Sequence, residues 1–153
     1  MKKYQLVILF LIINFAALGI GSWFMGNGPS SSWYLEQNKA PWTPPGWVFG
    51  AAWTTIMICF SLYMAHLLQL KKQTLVLSLF TVQFLLNVSW NYVFFNQHLV
   101  ALGLINIVLL TLVVTYVLFR FKDALKTKTW LLVPYAVWLL IATSLNAYIL
   151  FNN

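Results

Sequence analysis

The segment that decides the fold is LVALGLINIVLLTLVVTYVLF, residues 99–119, which contains no charged side chain. A bilayer core about 30 Å thick is crossed by roughly 20 apolar residues in a helix, so this segment is long enough to span a membrane. Because lipid offers no hydrogen-bond partners, a spanning segment must satisfy its own backbone groups, and a helix does so. Residues 99–119 therefore predict a transmembrane helix.

Four further apolar runs of similar length accompany this segment. The predicted spans are residues 4–25, 45–70, 74–95, 99–121 and 129–151. Residues of the AVILMFWYC set make up 61% of the 153-residue chain and charged residues only 7%, against about 25% charged residues in soluble domains. The sequence thus predicts an all-α membrane protein, a single domain (residues 1–153) built as a bundle of five transmembrane helices.

The nine basic residues predict the orientation of the bundle. Lys39 alone lies in a predicted outer segment. An odd number of crossings places the other eight on the opposite side: Lys2, Lys3, Lys71, Lys72, Arg120, Lys122, Lys126 and Lys128. The positive-inside rule then predicts an integral cell-membrane protein with a cytoplasmic N-terminus and an outer C-terminus. Because the net charge of +7 is not gathered in one patch, nucleic acid is not an expected partner.

The N-terminal stretch MKKYQLVILFLIINFAALGIGS, residues 1–22, also resembles a secretory signal, with two lysines before an apolar run. Cleavage would leave four spans. The apolar run is long for a signal, and no clean small-x-small site follows Ser22, so an uncleaved first helix is the preferred interpretation. The mass of the mature N-terminus distinguishes the two.

One connection is long: the outer loop, residues 26–44, which runs into APWTPPGWVFGAAW, residues 40–53. A long ordered loop is often a lid or binding element. Residues before proline avoid the helical region, so the approach to the second span is stiff. Gly46 and Gly50 are expected to open a recess beside Trp53, although glycines at this spacing also serve helix packing.

Charged side chains are missing from the middle of every predicted span, which argues against ion channels and proton-coupled pumps. His66 and His98 lie near opposite ends of the bilayer, and neither has a cysteine, histidine or carboxylate partner at ligand spacing. No metal site is therefore expected, and no cofactor is predicted.

Neutral polar and aromatic side chains recur at steps of three and four residues, so each set shares one helix face. Span three carries Gln83, Asn87, Trp90 and Asn91, and span five carries Tyr135, Trp138, Ala142 and Asn146. Buried amides in lipid need hydrogen bonds, so these faces should turn inward. Asn14 and Asn106 are interpreted as contacts between helices, whereas Asn87, Trp90 and Trp138 are interpreted as a pocket wall.

Four motifs carry a resemblance to a known family. They are WY at 33–34, PWTPPGWVFGAAW at 41–53, NVSWNYVFF at 87–95 and PYAVWLLIATSLN at 134–146. In these the chain resembles a bacterial member of the TspO or translocator protein family, the tryptophan-rich sensory proteins once called peripheral benzodiazepine receptors. The resemblance covers nearly the whole chain in the right order.

The resemblance implies five transmembrane helices around a pocket open toward the outer loop. It implies binding of porphyrins such as protoporphyrin IX and of isoquinoline carboxamide or benzodiazepine-type ligands, and it implies frequent homodimers. The implied ligand-binding residues are Ser22, Trp33, Trp42, Trp53, Asn87, Trp90, Trp138 and Ala142. The cholesterol motif of animal members is incomplete, because no basic residue follows Tyr148, so a sterol ligand is not expected.

The leading functional hypothesis is a porphyrin-binding membrane receptor or sensor. Bacterial relatives are also associated with light- and oxygen-dependent breakdown of protoporphyrin. Since no acid–base pair or metal site is predicted in the membrane, such chemistry would depend on the photochemistry of the ligand, with Trp53 and Trp138 as the catalytic candidates. Facilitated porphyrin transport and a purely structural subunit remain alternatives.

Overall fold

The computed structural model of the protein describes residues 1–70 and 73–153, and these ranges contain helices and no strand. The helices are α1 (Lys3–Phe24), α2 (Ser32–Glu36), α3 (Gly46–Leu70), α4 (Gln73–Asn91), α5 (Val100–Leu125) and α6 (Val133–Asn152). A π-helical turn, Tyr92–Asn96, extends α4, and a 3-10 segment, Lys126–Leu132, joins α5 to α6. The predicted basic pair Lys71 and Lys72 lies outside the described residues.

Within the described ranges, four helical stretches are long and apolar enough to cross a membrane: Lys3–Ser30, Gly46–Leu70, Gln73–Asn96 and Val100–Asn152. The last has 53 residues and as one straight helix would extend about 80 Å, far more than a bilayer core. It is two antiparallel helices, because the Asn146 side chain in α6 donates to the Val100 carbonyl at the start of α5 (3.0 Å). The predicted helical membrane protein is confirmed, and five long helices match the predicted number.

The end of α5 and the start of α6 each lie four residues beyond the predicted bounds. The predicted span stops at residue 121, where charges begin, but α5 continues to Leu125. Leu125 is buried and continues the inward face that includes Phe121. Packing therefore extends the helix beyond the apolar run, which hydropathy alone does not detect.

Polar pairs and aromatic rings hold the middle of the bundle together. The Asn14 amide donates to the buried Ser61 hydroxyl (2.8 Å), which is the interhelical contact predicted for Asn14. The Tyr135 hydroxyl donates to the Gln83 side-chain oxygen (2.6 Å), so the inward-facing stripes of α4 and α6 meet as expected. Satisfying these groups removes the cost of burying them in an apolar core.

The outer loop is folded against the helix ends. Ser31 caps α2 by accepting a hydrogen bond from the Tyr34 backbone (3.2 Å). Lys39 donates to the Tyr34 and Leu35 carbonyls at the other end of α2 (3.0 and 3.1 Å), where a cation also opposes the negative end of the helix dipole. The Asn38 backbone N–H donates to the side-chain oxygen of Asn153 (2.7 Å), which ties the loop to the end of α6.

Basic residues gather at the end of the bundle opposite the outer loop. Lys3 and Lys128 both lie close enough to His66 to interact with it electrostatically. The start of α1, the end of α3 and the 3-10 segment therefore meet at one end, called here the basic end. That this end faces the cytoplasm remains a prediction.

Candidate functional site

A cavity lies in the half of the bundle nearest the outer loop. Its empty volume is about 640 Å³, including the part that opens to the surface. All five long helices contribute to its wall. Met25, which follows α1, and Pro29 of the outer loop also line it. This is the position that the resemblance implied for a pocket.

Six of the eight predicted ligand-binding residues line this cavity: Ser22, Trp53, Asn87, Trp90, Trp138 and Ala142. They come from α1, α3, α4 and α6, so residues far apart in the chain are brought together by helix packing. Ser22 is exposed and lies at the rim. The geometry makes these residues available to a ligand, and their role in binding remains a prediction.

Trp33 and Trp42 are not part of the cavity wall. The Trp33 indole is stacked on the His98 imidazole, with ring centres 4.1 Å apart and planes 8° apart. The Trp42 indole N–H donates to the Ser144 hydroxyl (3.1 Å), and its ring lies edge-on to Tyr148. Both side chains hold the outer loop against the helices, so in this conformation they would act on a ligand only through the loop.

The two tryptophans proposed for photochemistry sit in aromatic pairs. Trp138 is 6% exposed and lies edge-on to Phe49 (5.3 Å between ring centres). Trp53 lies edge-on to Tyr135 (5.9 Å). Such pairs fix ring orientation and add about 0.5–1.5 kcal/mol each beyond area burial.

The indole N–H groups of Trp53 and Trp138 have no hydrogen-bond partner among the described residues. Buried tryptophans usually find one. Within the described ranges, the Asn106 side-chain oxygen is the one side-chain polar atom that is sealed from solvent and unpaired. Both indole N–H groups therefore retain some exposure, and Trp138 lines both the cavity and an open groove between α3 and α6.

Trp90 is held differently from these two. Its indole N–H donates to the Asn146 side-chain oxygen (3.1 Å), and its ring is stacked on Phe94 (5.0 Å, 10°). Asn146 is itself fixed by its bond to the Val100 carbonyl. Trp90 can thus offer a ring face to the cavity, but its donor is already used inside the protein.

Asn87 is one of two asparagines that line the cavity. It is only 7% exposed, and its side chain has no hydrogen-bond partner among the described residues. Its backbone carbonyl accepts from the Asn91 side chain (3.4 Å), so the two asparagines lie together on the wall. An amide without a partner in an aromatic cavity can form a hydrogen bond that orients the polar edge of a ligand.

The glycine recess predicted beside Trp53 is wrong. A side chain at Gly46 or Gly50 would meet nothing within 4 Å, and neither glycine lines the cavity. The buried face of α3 is centred on Ile56 and Phe60, one and two turns below the cavity, which places Gly50 at its margin. The recess is formed by larger side chains, chiefly Phe49 and Trp53.

Several cavity residues were missed in the sequence: Leu18, Met25, Pro29, Phe49, Phe95 and Ile107. Phe49 is four residues before Trp53, so helical spacing could have identified it. Met25 and Pro29 belong to an irregular segment in which no periodicity exists to be used.

The arrangement suits reversible binding of a flat aromatic molecule. Its walls include indole and phenyl rings, and its polar side chains are neutral and include two amides, Asn87 and Asn91. Within the described residues no three histidine, cysteine or carboxylate side chains come together as metal ligands do.

Comparison with known proteins agrees with this architecture. The family model described as TspO/MBR family matches residues 9–151. A tryptophan-rich protein TspO from Chlorobaculum tepidum is 31% identical over 157 residues, covering 100% of this chain and 99% of the relative. Protein CrtK from Rhodobacter capsulatus is 37% identical, with 75% and 74% covered. The human translocator protein is 29% identical, with 83% and 78% covered.

The match therefore extends from the first helix to the last, over the same residues that form the bundle and its cavity. Of the eight tryptophans, three line the cavity and two hold the outer loop against the helices. The other three, Trp23, Trp47 and Trp130, are exposed. The chain belongs to the TspO/MBR family.

Proposed function

We propose that the protein is a membrane receptor or sensor that binds a porphyrin in the cavity beneath the outer loop. The observation that carries the proposal is one aromatic cavity lined by Trp53, Trp138 and Asn87, whose side-chain polar groups have no hydrogen-bond partner among the described residues. Protoporphyrin IX has a flat apolar ring and two carboxylates, which match aromatic faces and hydrogen-bond donors respectively.

The binding energy would come mainly from ring contacts. Each aromatic contact adds about 0.5–1.5 kcal/mol beyond area burial. The walls are already held by edge-on pairs and by the Trp90–Asn146 bond, so little ordering is required when a ligand arrives. A preformed site of this kind favours binding of rigid, flat molecules over flexible ones.

Titration of the protein in nanodiscs with protoporphyrin IX tests this proposal. Trp138→Phe and Asn87→Leu should each weaken binding severalfold, because each removes a donor or acceptor from the cavity. Trp47→Phe is the matched control, since Trp47 is 75% exposed and outside the cavity. Equal weakening by all three variants, or wild-type affinity in the cavity variants, would contradict the proposal. An isoquinoline carboxamide that competes for the same site would support it.

A second candidate is light-dependent oxidation of the bound porphyrin. It is favoured by the placement of two tryptophans, which are oxidisable side chains, on one cavity wall. Dioxygen would be the oxidant and the porphyrin the net electron donor. Trp53 and Trp138 would exchange single electrons with the excited porphyrin ring. Illumination in air should give a product with wild type and less with Trp138→Phe. The same yield from both, or without protein, would exclude these roles.

Facilitated transport of porphyrin is the alternative to a receptor. It predicts movement of protoporphyrin IX across sealed vesicles that contain the protein, at a rate that saturates. The homodimer implied by family membership is likewise proposed, and the mass of the protein in nanodiscs checks it.

A further inference from the structure

A second open space lies at the basic end, away from the cavity. It is a groove of about 720 Å³, including its open part, between the last turns of α5, the 3-10 segment and the start of α6. Its apolar wall includes Phe119 and Trp130, and its polar wall includes Lys122, Asp123 and Lys126. None of these residues contributes to the candidate site described above.

The turn that forms this groove is fixed by local structure. Lys126 has a φ of +50°, which is uncommon for a residue with a side chain. The Thr129 hydroxyl donates to the Lys122 carbonyl (3.3 Å), which also accepts the Lys126 backbone N–H at the end of α5. The chain therefore turns from α5 into α6 in a defined shape, with Lys122 and Lys126 on the same side.

The groove combines two kinds of surface that meet at a membrane boundary. Phe119 is 61% exposed and Trp130 is 73% exposed, although both are large apolar rings. Lys122 and Lys126 lie three and seven residues after Phe119 in the chain and are also exposed. Tryptophan and lysine together at a helix end are typical of the bilayer interface, with rings toward the acyl chains and ammonium groups toward water.

We propose that this groove is a binding site for one anionic phospholipid. Its phosphate would lie between Lys122 and Lys126, and an acyl chain would run along Phe119 and Trp130. Two ammonium groups against one carboxylate leave the groove with net positive charge, and the exposed Arg120 and Lys128 lie nearby in the chain. Basic pockets between transmembrane helices bind anionic head groups in this way.

Asp123 narrows the choice of head group. Its carboxylate lies in the groove beside the lysines and would accept hydrogen bonds from head-group hydroxyls. Phosphatidylglycerol offers one negative charge and two hydroxyls, so we infer that it is the preferred ligand. Phosphatidylcholine has no net charge and no head-group hydroxyl, and it should bind more weakly.

Native mass spectrometry of the purified full-length protein tests the site. Bound lipid is counted after addition of phosphatidylglycerol, phosphatidylcholine or soluble glycerol phosphate. Wild type should prefer phosphatidylglycerol, and Lys122→Gln/Lys126→Gln should lose about fivefold in affinity per lysine removed. Lys2→Gln/Lys3→Gln is the matched control, because it removes the same charge from the predicted same face outside the groove.

Fluorescence gives an independent readout of position. Phosphatidylglycerol with brominated acyl chains should quench a tryptophan signal that is absent in Trp130→Phe and present in Trp47→Phe. Wild-type lipid preference in Lys122→Gln/Lys126→Gln would overturn the proposal, as would an equal loss in the Lys2→Gln/Lys3→Gln control. Glycerol phosphate that binds as tightly as the lipid would also overturn it, since the apolar wall would then have no role.

Discussion

At the residue scale, the cavity depends on a few amides that are either fully paired or left free for a ligand. Asn146 is paired on both sides, to Trp90 and to the Val100 carbonyl, and it is 2% exposed. Asn87 is also buried, but its side chain has no hydrogen-bond partner within the described residues. The difference separates a structural amide from an amide that we propose binds the ligand, although the two residues are alike in sequence terms.

Replacing Asn146 with leucine should therefore destabilise the protein without removing a direct ligand contact. The change leaves the Trp90 N–H unpaired and removes the second hydrogen bond of the Val100 carbonyl, at a cost of about 1–3 kcal/mol for a buried group, with the lower end expected in a membrane protein. The free energy of unfolding in mixed micelles measures it. Asn152→Leu is the control, since the Asn152 side chain bonds only to Tyr148 within its own helix. Equal losses in both variants would contradict this account.

Two neighbouring glycines of α1 provide a second test at this scale. A β-carbon at Gly21 would lie 2.7 Å from the Asn91 side-chain nitrogen, whereas one at Gly19 would meet nothing within 4 Å. Gly21→Ala should therefore turn the Asn91 amide and break its bond to the Asn87 carbonyl. We expect weaker porphyrin binding with a change in stability below about 1 kcal/mol, because a flexible side chain can move. Unchanged affinity in Gly21→Ala, or an equal loss in Gly19→Ala, would show that the contact has no effect on the site.

At the element scale, helix number and the inward faces of α4 and α6 could be predicted, but the inward face of α3 could not. Amides at steps of three and four residues mark a buried face, because lipid does not accept them. The first turns of α3 carry almost none, and apolar side chains there can face lipid or core alike. Gly50 was therefore placed inward although it is exposed, while Phe49 was overlooked.

The outer loop shows a second limit of the sequence. Trp33 meets His98, and Trp42 meets Ser144, at separations of 65 and 102 residues along the chain. Contacts of this range leave no spacing pattern in a single sequence. Both tryptophans were predicted by motif to bind the ligand. That they hold the outer loop against the helices is visible only in the fold.

Removing the bonds that tie the outer loop to the end of α6 should make the loop more mobile and speed the release of ligand. In Asn153→Ala the loop loses the bonds between the Asn38 backbone and the Asn153 side chain (2.7 and 3.2 Å). These bonds are exposed, so global stability should fall by less than about 1.5 kcal/mol. Hydrogen exchange of residues 31–44 should accelerate, and porphyrin dissociation should become severalfold faster. Asn152→Ala, which keeps these bonds, should leave both rates near wild type. Faster hydrogen exchange in this variant would contradict the role given to the Asn38–Asn153 bonds.

At the scale of the whole molecule, the two ends of the bundle are separated by a packed aromatic layer. The Phe60 ring contacts both Phe80 and Tyr135 there, and the Tyr63 hydroxyl donates to the Val117 carbonyl. A porphyrin in the cavity could cross this layer only if several buried rings moved together. The layer therefore favours a receptor that is entered from the loop end over a simple passage through the bundle.

The orientation of the bundle yields the last prediction. Lys3 and Lys128 lie at the basic end. The outer loop lies at the opposite end, where its residue Asn38 is bonded to Asn153. Positive charge is retained on the cytoplasmic side during insertion, so a cysteine at position 153 should react with a membrane-impermeant maleimide in intact cells. A cysteine at position 2 should react only after permeabilisation. Both are introduced with Cys59→Ala, which removes the single native thiol.

Reversed labelling would place the basic end outside and would remove the cytoplasmic leaflet as the source of lipid for the groove. Loss of position 2 from the mature protein, with position 153 still labelled from outside, would instead indicate a cleaved first helix. That outcome is disfavoured by packing, because α1 supplies buried Phe10 and Asn14 to the core and Ser22 to the cavity rim. A bundle without α1 would leave Ser61 without its interhelical partner and the cavity open along one side, so the intact mass of the purified protein and the labelling pattern should agree on five helices.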